Sequence, residues 1–348
     1  MKKIISVLLS SVLILSALSF CGFAVSAISD SGTWGDLSWS LDEDGILVVS
    51  GNGYLEDFPD DVINAWHYYY TWITEVRIEN GVTGIGVRAF HFTSVAKVSI
   101  PASVSFISGD AFGACSKLEE IKVDDANAYY CDVDGVLFNK EKTELVKYPD
   151  SKGGSAYVIP NGVEIIAFEA FSSCSSLESI TIPDGVTTIE DNAFNGCYGI
   201  TDLVLPATVK TVGKYAFAYC DNIKSVTLYS GCESVASHAF YGCSGITEVY
   251  YNGTFSQWLN MGLVEGNQPL TNATMTFVNE VAGEETGDVN GDGEITNTDA
   301  AMVLKYDAGI YGFNESQLSV ADANGNGVVE NLDATLILKY DAGIINVF

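Results

Sequence analysis

The segment IPDGVTTIEDNAFNGCYGITDL, residues 182–203, is one copy of a repeat that occupies most of the chain. Its Ala-Phe dipeptide recurs with steps of 22, 59, 23, 23 and 23 residues. The phenylalanines of these dipeptides, called the repeat phenylalanines below, are Phe90, Phe112, Phe171, Phe194, Phe217 and Phe240. A unit this short cannot bury its apolar face alone, so consecutive copies are expected to stack into a solenoid.

Other apolar residues keep fixed distances from the repeat phenylalanine. Twelve residues before it stand Ile78, Ile100, Ile159, Ile182, Leu205 and Leu228. Five residues before it stand Ile85, Ile107, Ile166, Ile189, Val212 and Val235. In segments such as SITIP, apolar and polar residues alternate, which predicts a short strand with one buried face.

Alternation sends the residues between the buried strand positions to the opposite face of each strand. In a solenoid that face is extended and shared among repeats, which makes it the predicted binding surface. Its acidic and hydroxyl side chains suit either a protein or a glycan ligand. The residues of this surface, called the repeat face, are Glu120, Lys122, Ser179, Thr181, Asp202, Val204, Ser225, Thr227, Glu248 and Tyr250.

The repeat resembles the BspA-like leucine-rich repeats of bacterial surface proteins. The resemblance extends to a cap-like segment at residues 32–58, an insertion-like hairpin at residues 133–149, and closing segments at residues 249–262 and 270–277. It implies an α+β fold in which short strands and short helices build a leucine-rich-repeat solenoid. The implied boundaries are an N-terminal cap at 28–77 and a solenoid at 78–278 with a hairpin insertion at 124–156.

Two copies of one twelve-residue pattern follow, DVNGDGEITNTD at 288–299 and DANGNGVVENLD at 322–333. Calcium takes about six to eight oxygen ligands, and such a loop supplies them from alternate positions, with glycine at the sharp turn. The first set is Asp288, Asn290, Asp292, the carbonyl of Glu294, Thr296 and Asp299. The second set is Asp322, Asn324, Asn326, the carbonyl of Val328, Glu330 and Asp333. The sequence therefore predicts two bound Ca²⁺ ions.

An identical heptapeptide, LKYDAGI, follows each loop, at 304–310 and at 338–344. An EF-hand has a helix before the loop and usually glutamate at the last loop position. Here the preceding segment VAGEETG, residues 281–287, is a poor amphipathic helix, and the last position is aspartate in both loops. The unit is therefore interpreted as a loop followed by a helix.

Residues 288–348 resemble a type I dockerin, the module that attaches cellulosome subunits to cohesin domains of a scaffold protein. The resemblance implies a linker at 279–286 and a small all-α dockerin at 287–348 with two calcium-binding loop-helix units. It also implies the cohesin-facing residues, which are Asn297, Thr298, Lys305, Tyr306, Asn331, Leu332, Lys339 and Tyr340. Because the two halves are nearly identical, the dockerin is expected to bind in two orientations related by a half turn.

Residues 1–27 combine Lys2 and Lys3 with an apolar run and small residues at the end, which predicts a secretory signal peptide. Cys21 raises a lipoprotein alternative, against which stands the bulky Phe20 before it. No other segment approaches the roughly 20 apolar residues of a membrane-spanning helix. The net charge of −29 has the wrong sign for binding nucleic acid.

Five cysteines stand three residues after a repeat phenylalanine, where small buried side chains are expected. They are Cys115, Cys174, Cys197, Cys220 and Cys243. Free cysteine behaves as a small hydrophobe, so we interpret them as buried thiols. The alternative is a disulfide framework, which is common in small secreted domains.

One position of the repeat, two residues before the repeat phenylalanine and called the variable slot below, differs in residue type from copy to copy. It is therefore expected to be exposed, and it holds Arg88, Asp110, Glu169, Asn192, Tyr215 and His238. The aromatic cluster WHYYYTW, residues 66–72, is interpreted as packing of the cap onto the first repeat, with a sugar-stacking platform as the alternative.

Together these features predict a secreted, non-catalytic recognition or adhesion protein, located at the cell surface or in a polysaccharide-degrading cellulosome. One alternative is a cellulosomal hydrolase, because dockerins are usually attached to catalytic domains. The cap, repeats, insertion and closing segment leave no stretch long enough for such a domain, and no catalytic residue is predicted. The other alternative is a structural spacer whose repeats bind no ligand.

Overall fold

The computed structural model describes residues 29–57, 65–278 and 286–345. The predicted signal peptide at 1–27 and residues 279–285 of the predicted linker lie outside these ranges. The described chain forms a parallel β-solenoid with few short helices, followed by a helical module at the C-terminus. None of the described helices is long and apolar enough to cross a membrane.

The N-terminal part changes from antiparallel to parallel strand pairing. Its strands are β1 (Asp30–Trp34), β2 (Leu37–Leu41), β3 (Ile46–Gly51), β4 (Gly53–Leu55), β5 (Glu75–Ile78), β6 (Val82–Ile85), β7 (Lys97–Ile100), β8 (Phe106–Ile107) and β9 (Glu120–Val123). Strands β1, β2 and β3 pair antiparallel, whereas the series β3-β5-β7-β9 and β4-β6-β8 are parallel. The change occurs where the repeats begin, because each repeat brings the chain back in the same direction.

A hairpin interrupts the repeats within the predicted insertion. Its strands, and the strand that follows, are β10 (Tyr130–Val133), β11 (Val136–Asn139) and β12 (Glu144–Lys147). Asp134 and Gly135 connect β10 to β11 with φ angles of 51° and 78°. Positive φ at both turn residues matches the twist of a two-residue hairpin, which favours this Asp-Gly sequence.

The following repeats each contribute one longer strand and one two-residue strand. These are β13 (Ala156–Val158), β14 (Ile165–Ile166), β15 (Ser179–Thr181), β16 (Thr188–Ile189), β17 (Asp202–Val204), β18 (Thr211–Val212), β19 (Ser225–Tyr229) and β20 (Ser234–Val235). The two-residue strands extend β12 into one parallel sheet, β12-β14-β16-β18-β20. The longer strands pair as β13-β15 and β17-β19.

The repeat phenylalanines form a buried ladder along the solenoid. Each is at most 1% exposed. From Phe171 to Phe240 the ring centroids of neighbouring repeats are 4.7, 5.0 and 5.2 Å apart, with the rings nearly parallel. Tyr148, from the inserted segment, extends the ladder by stacking 5.0 Å from Phe171. The two columns of aliphatic residues before the phenylalanine are also buried, so the predicted core is confirmed.

Trp66 continues the ladder into the N-terminal cap. It is fully buried, its ring stacks 5.4 Å from Phe90, and its Nε1 donates a hydrogen bond to the carbonyl of Ala89 at 3.1 Å. This contact supports the interpretation of the aromatic cluster as packing of the cap onto the first repeat.

The cysteine column is buried and contains no disulfide. All seven cysteines among the described residues are free. Four thiols donate to the carbonyl of the repeat phenylalanine one repeat earlier, with sulfur–oxygen distances of 2.9–3.2 Å; they belong to Cys115, Cys197, Cys220 and Cys243. Burial raises the pKa of Cys115 and Cys197 to about 12. The five cysteines of the column are therefore buried core residues, as predicted.

The expectation of exposure for the variable slot was wrong, because all six of its residues are half-buried. Five of them have φ angles of 55–61°, a left-handed turn that occurs just before the Ala-Phe dipeptide. Side chains of the slot meet across neighbouring repeats: Arg88 lies 3.6 Å from Asp110, and the rings of Tyr215 and His238 are 5.2 Å apart. The different residue types in this slot are therefore matched to the slot residues of neighbouring repeats.

The C-terminal module joins the solenoid through a short strand. The remaining elements are β21 (Glu248–Asn252), α1 (Phe255–Asn260), β22 (Gly262–Leu263), α2 (Gln268–Asn272), β23 (Thr274–Phe277), α3 (Asn297–Asp307), β24 (Tyr311–Gly312), α4 (Glu315–Ala321) and α5 (Asn331–Asp341). Strand β24 pairs parallel with β23 and completes the sheet β17-β19-β21-β23-β24. Strand β24 therefore adds one short strand to a module that the sequence predicts to be all-α.

Candidate calcium loops and docking surfaces

The two predicted calcium loops share a set of hydrogen bonds at equivalent positions. Oδ2 of the first-position aspartate accepts the N–H of the turn glycine, at 3.1 Å in the first loop and 2.7 Å in the second. Oδ1 of the third-position asparagine accepts the N–H of position five at 2.9 Å in both loops. The turn glycines, Gly293 and Gly327, have φ angles of 87° and 85°, a conformation that glycine adopts without a steric penalty.

The last aspartate of each loop, Asp299 or Asp333, ties the two ends of the loop together. Both are fully buried. Oδ1 accepts a backbone N–H from position three at 3.0 Å, and Oδ2 accepts the N–H of position nine at 2.9 Å, in both loops. Burial raises the pKa of Asp299, and the nearby charge of Asp288 raises it further, against the lowering effect of the backbone hydrogen bonds. A cation in the loop would offset this repulsion.

The donor set matches a hard cation, because every predicted ligand is an oxygen. Within the described ranges, no group of three or more His, Cys, Asp or Glu side chains is arranged to hold a metal ion. A cation in the first loop would therefore also need the amide oxygen of Asn290, the hydroxyl of Thr296 and the carbonyl of Glu294. In the second loop the corresponding groups are the amide oxygens of Asn324 and Asn326, the carboxylate of Glu330 and the carbonyl of Val328.

Each loop is followed by a helix, α3 or α5, as predicted, and the second loop is also preceded by a helix that sequence analysis missed. Helix α4 ends immediately before the second loop, with Asp322 as its C-cap. It begins at a capping box, in which Asn314 accepts the N–H of Gln317 at 2.9 Å and the Gln317 side chain accepts the N–H of Asn314 at 3.1 Å. This Asn-x-x-Gln signal was present in the sequence and predicts a helix start.

The predicted cohesin-facing residues lie on α3 and α5, which pack against each other. Asn297 on α3 and Asn331, Leu332 and Lys339 on α5 are exposed, whereas Thr298, Lys305, Tyr306 and Tyr340 are half-buried. The Lys305 ammonium donates to the Tyr311 hydroxyl at 3.1 Å and lies 5.0 Å from the centre of that ring. The Tyr306 ring stacks on Phe313 at 4.5 Å. Sequence analysis missed Tyr311 and Phe313, which have no counterpart in the second half.

The structure brings the C-terminal half of the repeat face together in two rows. The register aligns Asp202, Ser225 and Glu248 in one row, and Val204, Thr227 and Tyr250 in the other. The Ser225 hydroxyl donates to Asp202 at 2.8 Å, and the Tyr250 hydroxyl donates to Glu248 at 2.7 Å. The rows continue on β23 with Thr274 and Thr276, which sequence analysis missed although TNATMTF alternates like a strand.

The N-terminal members of the repeat face lie apart from these rows. Glu120 and Lys122 belong to the first sheet, beside the inserted hairpin. Glu120 pairs with Lys97 at 3.3 Å, and Lys122 pairs with Asp132 of the hairpin at 3.0 Å. Ser179 and Thr181 are exposed on β15, which pairs with β13 and contacts β17, the first strand of the two rows. Glu120 and Lys122 are therefore the two predicted residues that lie apart from the rows.

Two families match the chain, and neither is a catalytic domain. Residues 61–144 and 150–261 match the BspA type leucine-rich repeat region, in six copies. Residues 286–340 match the dockerin type I domain, whose members typically bind calcium and pair with cohesin. Both families are typical of extracellular or cell-surface proteins. No curated protein matches the chain.

Several solved structures are similar to this chain. A leucine-rich repeat protein from Eubacterium ventriosum is 23% identical, with 72% of this chain and 87% of that chain covered and a TM-score of 0.46. A leucine rich cell surface protein from Faecalibacterium prausnitzii is 19% identical, with 67% and 97% covered and a TM-score of 0.36. The pneumococcal vaccine antigen PcpA is 17% identical, with 74% and 95% covered and a TM-score of 0.39.

The repeat match covers more than half of the 348 residues, and the dockerin match covers the module that carries both loops. The protein therefore belongs to the BspA-type leucine-rich-repeat family and carries a type I dockerin domain at its C-terminal end.

Proposed function

We propose that the protein is a secreted, non-catalytic recognition component, which a calcium-loaded dockerin attaches to a cohesin-bearing scaffold in a polysaccharide-degrading assembly. The observation that carries this proposal is the doubled loop. Both copies have oxygen donors at the same positions, share several internal hydrogen bonds and are followed by the same heptapeptide. A duplicated site of this kind is expected to bind two calcium ions.

Calcium binding should be linked to the stability of the dockerin. Each loop places carboxylates close together, and a cation that binds only the folded state stabilises it by mass action. At a free calcium concentration about 100 times Kd, each site would contribute about 2.7 kcal/mol. A chelator should therefore loosen the module and remove the surface that cohesin binds.

The test is a pull-down from cell-surface and culture fractions of the source organism, with the chain lacking residues 1–27 as bait. We expect a cohesin-containing protein to be recovered in calcium and lost in chelator. The variant Asp288→Ala with Asp322→Ala should lose this recovery in calcium as well, because each loop loses its first carboxylate. The matched control removes two exposed carboxylates outside the dockerin, Asp44→Ala in the cap with Asp125→Ala in the insertion, and should behave like the wild type. Calcium-independent recovery of the same protein would contradict the proposal.

We assign ligand recognition to the two rows of the repeat face on β17, β19 and β21. They present Asp202 and Glu248 with hydroxyl groups, and the exposed Val204 adds apolar area. A ligand bound here is a protein or a glycan with basic or hydrogen-bonding groups. Its binding should be independent of calcium, because the rows lie outside the loops.

Charge reversal on these rows should remove that ligand. We expect Asp202→Lys with Glu248→Lys to abolish recovery of species that the wild-type bait retains in chelator, because the substitutions turn the acidic rows basic. The control Asp184→Lys with Asp221→Lys makes the same change at exposed loop positions and should retain them. Equal recovery by both variants would favour a spacer role for the repeats.

A further inference from the structure

The two halves of the dockerin have the same heptapeptide but different surroundings. After α3, the segment LKYDAGI leads directly into β24, which pairs with the last solenoid strand, β23. The N–H of Met275 donates to the carbonyl of Ile310 at 2.6 Å, and the hydroxyl of Thr274 donates to the carbonyl of Gly309 at 3.2 Å. Phe277 of the solenoid meets the Tyr311 ring edge to face, with centroids 5.2 Å apart. The end of the first half is thus covered by the solenoid.

The same positions in the second half face solvent. Ile344 is 71% exposed, whereas its counterpart Ile310 is half-buried and packs against the core. Lys339 is exposed, whereas Lys305 bonds to Tyr311. At the start of the heptapeptide the two halves are equally exposed, since Leu304 and Leu338 are 44% and 43% exposed. The difference in exposure arises only after this position. Identical sequences therefore present one covered end and one accessible end.

The accessible half also offers more apolar surface to a partner. On α5, Leu332 and Leu338 are 48% and 43% exposed, and Ile344 follows at the end of the heptapeptide. The first half has the polar Thr298 at the position of Leu332. Exposed apolar side chains beside polar groups are typical anchors of protein interfaces. Both accessibility and composition thus favour the second half.

We infer that the solenoid breaks the two-fold equivalence of the dockerin, so that cohesin binds in one orientation, through α5 and the exposed heptapeptide at 338–344. This inference rests on the proposed function, since it concerns the same partner. A cohesin approaching through the first half would have to separate Lys305 from Tyr311 and would meet the solenoid end at Gly309 and Ile310. Binding through the second half requires neither change.

The test compares matched double variants of the full chain without residues 1–27, using isothermal titration with the cohesin domain recovered in the pull-down. Asn331→Ala with Leu338→Ala truncates exposed residues of α5, and Asn297→Ala with Leu304→Ala truncates the equivalent residues of α3. We expect the α5 variant to weaken binding about tenfold or more and the α3 variant to change Kd less than about threefold. Circular dichroism confirms that both variants fold.

A third variant tests the role of the solenoid. Met275→Pro removes the N–H that donates to Ile310, because proline has no backbone donor. Loosening this contact should uncover the first half, so that adding Met275→Pro to the α5 variant restores part of the affinity. If this variant does not fold, the comparison of α3 with α5 still decides the question.

The outcomes separate the two proposals. If the α3 and α5 variants change Kd by equal, small amounts, cohesin uses two orientations. If the α3 variant weakens binding more, cohesin binds through the first half. Either result overturns the inference and leaves the proposed function standing. Absence of wild-type binding to any cohesin in calcium would overturn the proposed function and the inference with it.

Discussion

Alanine at Phe194 is expected to lower the free energy of unfolding of the solenoid by about 3–5 kcal/mol. The Phe194 ring is fully buried and stacks on both neighbours, 4.7 Å from Phe171 and 5.0 Å from Phe217. Its loss leaves a cavity between two repeats and interrupts the ladder. Each repeat contacts only its neighbours, so the damage falls on two adjacent interfaces of the array.

Urea unfolding followed by far-ultraviolet circular dichroism measures this effect. The control is Tyr198→Ala, which removes an aromatic ring from the same repeat at a position that is 48% exposed. It should change the free energy of unfolding by less than about 0.5 kcal/mol. Similar losses from both substitutions would show that the ladder has no special role in stability.

Methionine at Lys147 is expected to cost about 3–5 kcal/mol, because it leaves a carboxylate buried without its partner. The Lys147 ammonium lies 2.7 Å from Oδ1 of Asp150, and the two side chains are 2% and 1% exposed. Burial opposes the charge on Lys147, but the Asp150 carboxylate raises the pKa of Lys147 above its ordinary value. Burial raises the pKa of Asp150, and the Lys147 ammonium acts against that rise, so the charge of each side chain favours the charge of the other.

The double variant Lys147→Met with Asp150→Leu should recover most of the stability lost in Lys147→Met. Neither charge then remains buried, and apolar side chains of similar size often replace a buried ion pair at little cost. A double-mutant cycle from thermal or urea unfolding gives the coupling between the two side chains. Additive losses in the double variant would contradict the view that the unpaired charge causes the damage.

The repeat array could be predicted from the sequence because its contacts are nearly local. Fixed spacing alone identified the buried phenylalanine, aliphatic and cysteine columns, and stacking of identical units then places each column on one axis. The calcium loops were equally readable, because a twelve-residue loop contains nearly all of its own ligands. Sequence also supplied the hydroxyl and acidic residues of the repeat face.

Contacts between distant segments were decided only by the tertiary structure. Nothing in the sequence ELVKYPD, residues 144–150, distinguishes Lys147 from an exposed lysine, yet it is buried where the inserted segment replaces a repeat. The variable slot likewise depends on which residues meet across neighbouring repeats. The separation of Glu120 and Lys122 from the other face residues follows from the inserted hairpin.

The two copies of LKYDAGI show this division most clearly. Their local preferences are the same, and both begin as the last turns of a helix, in α3 and in α5. The last residue of one copy, Ile310, is half-buried against β23 of the solenoid, whereas its counterpart Ile344 faces solvent. The sequence by itself determined the duplicated unit, and only the packing of β24 on the end of the solenoid decided which copy is accessible, because identical segments can differ only through their non-local contacts.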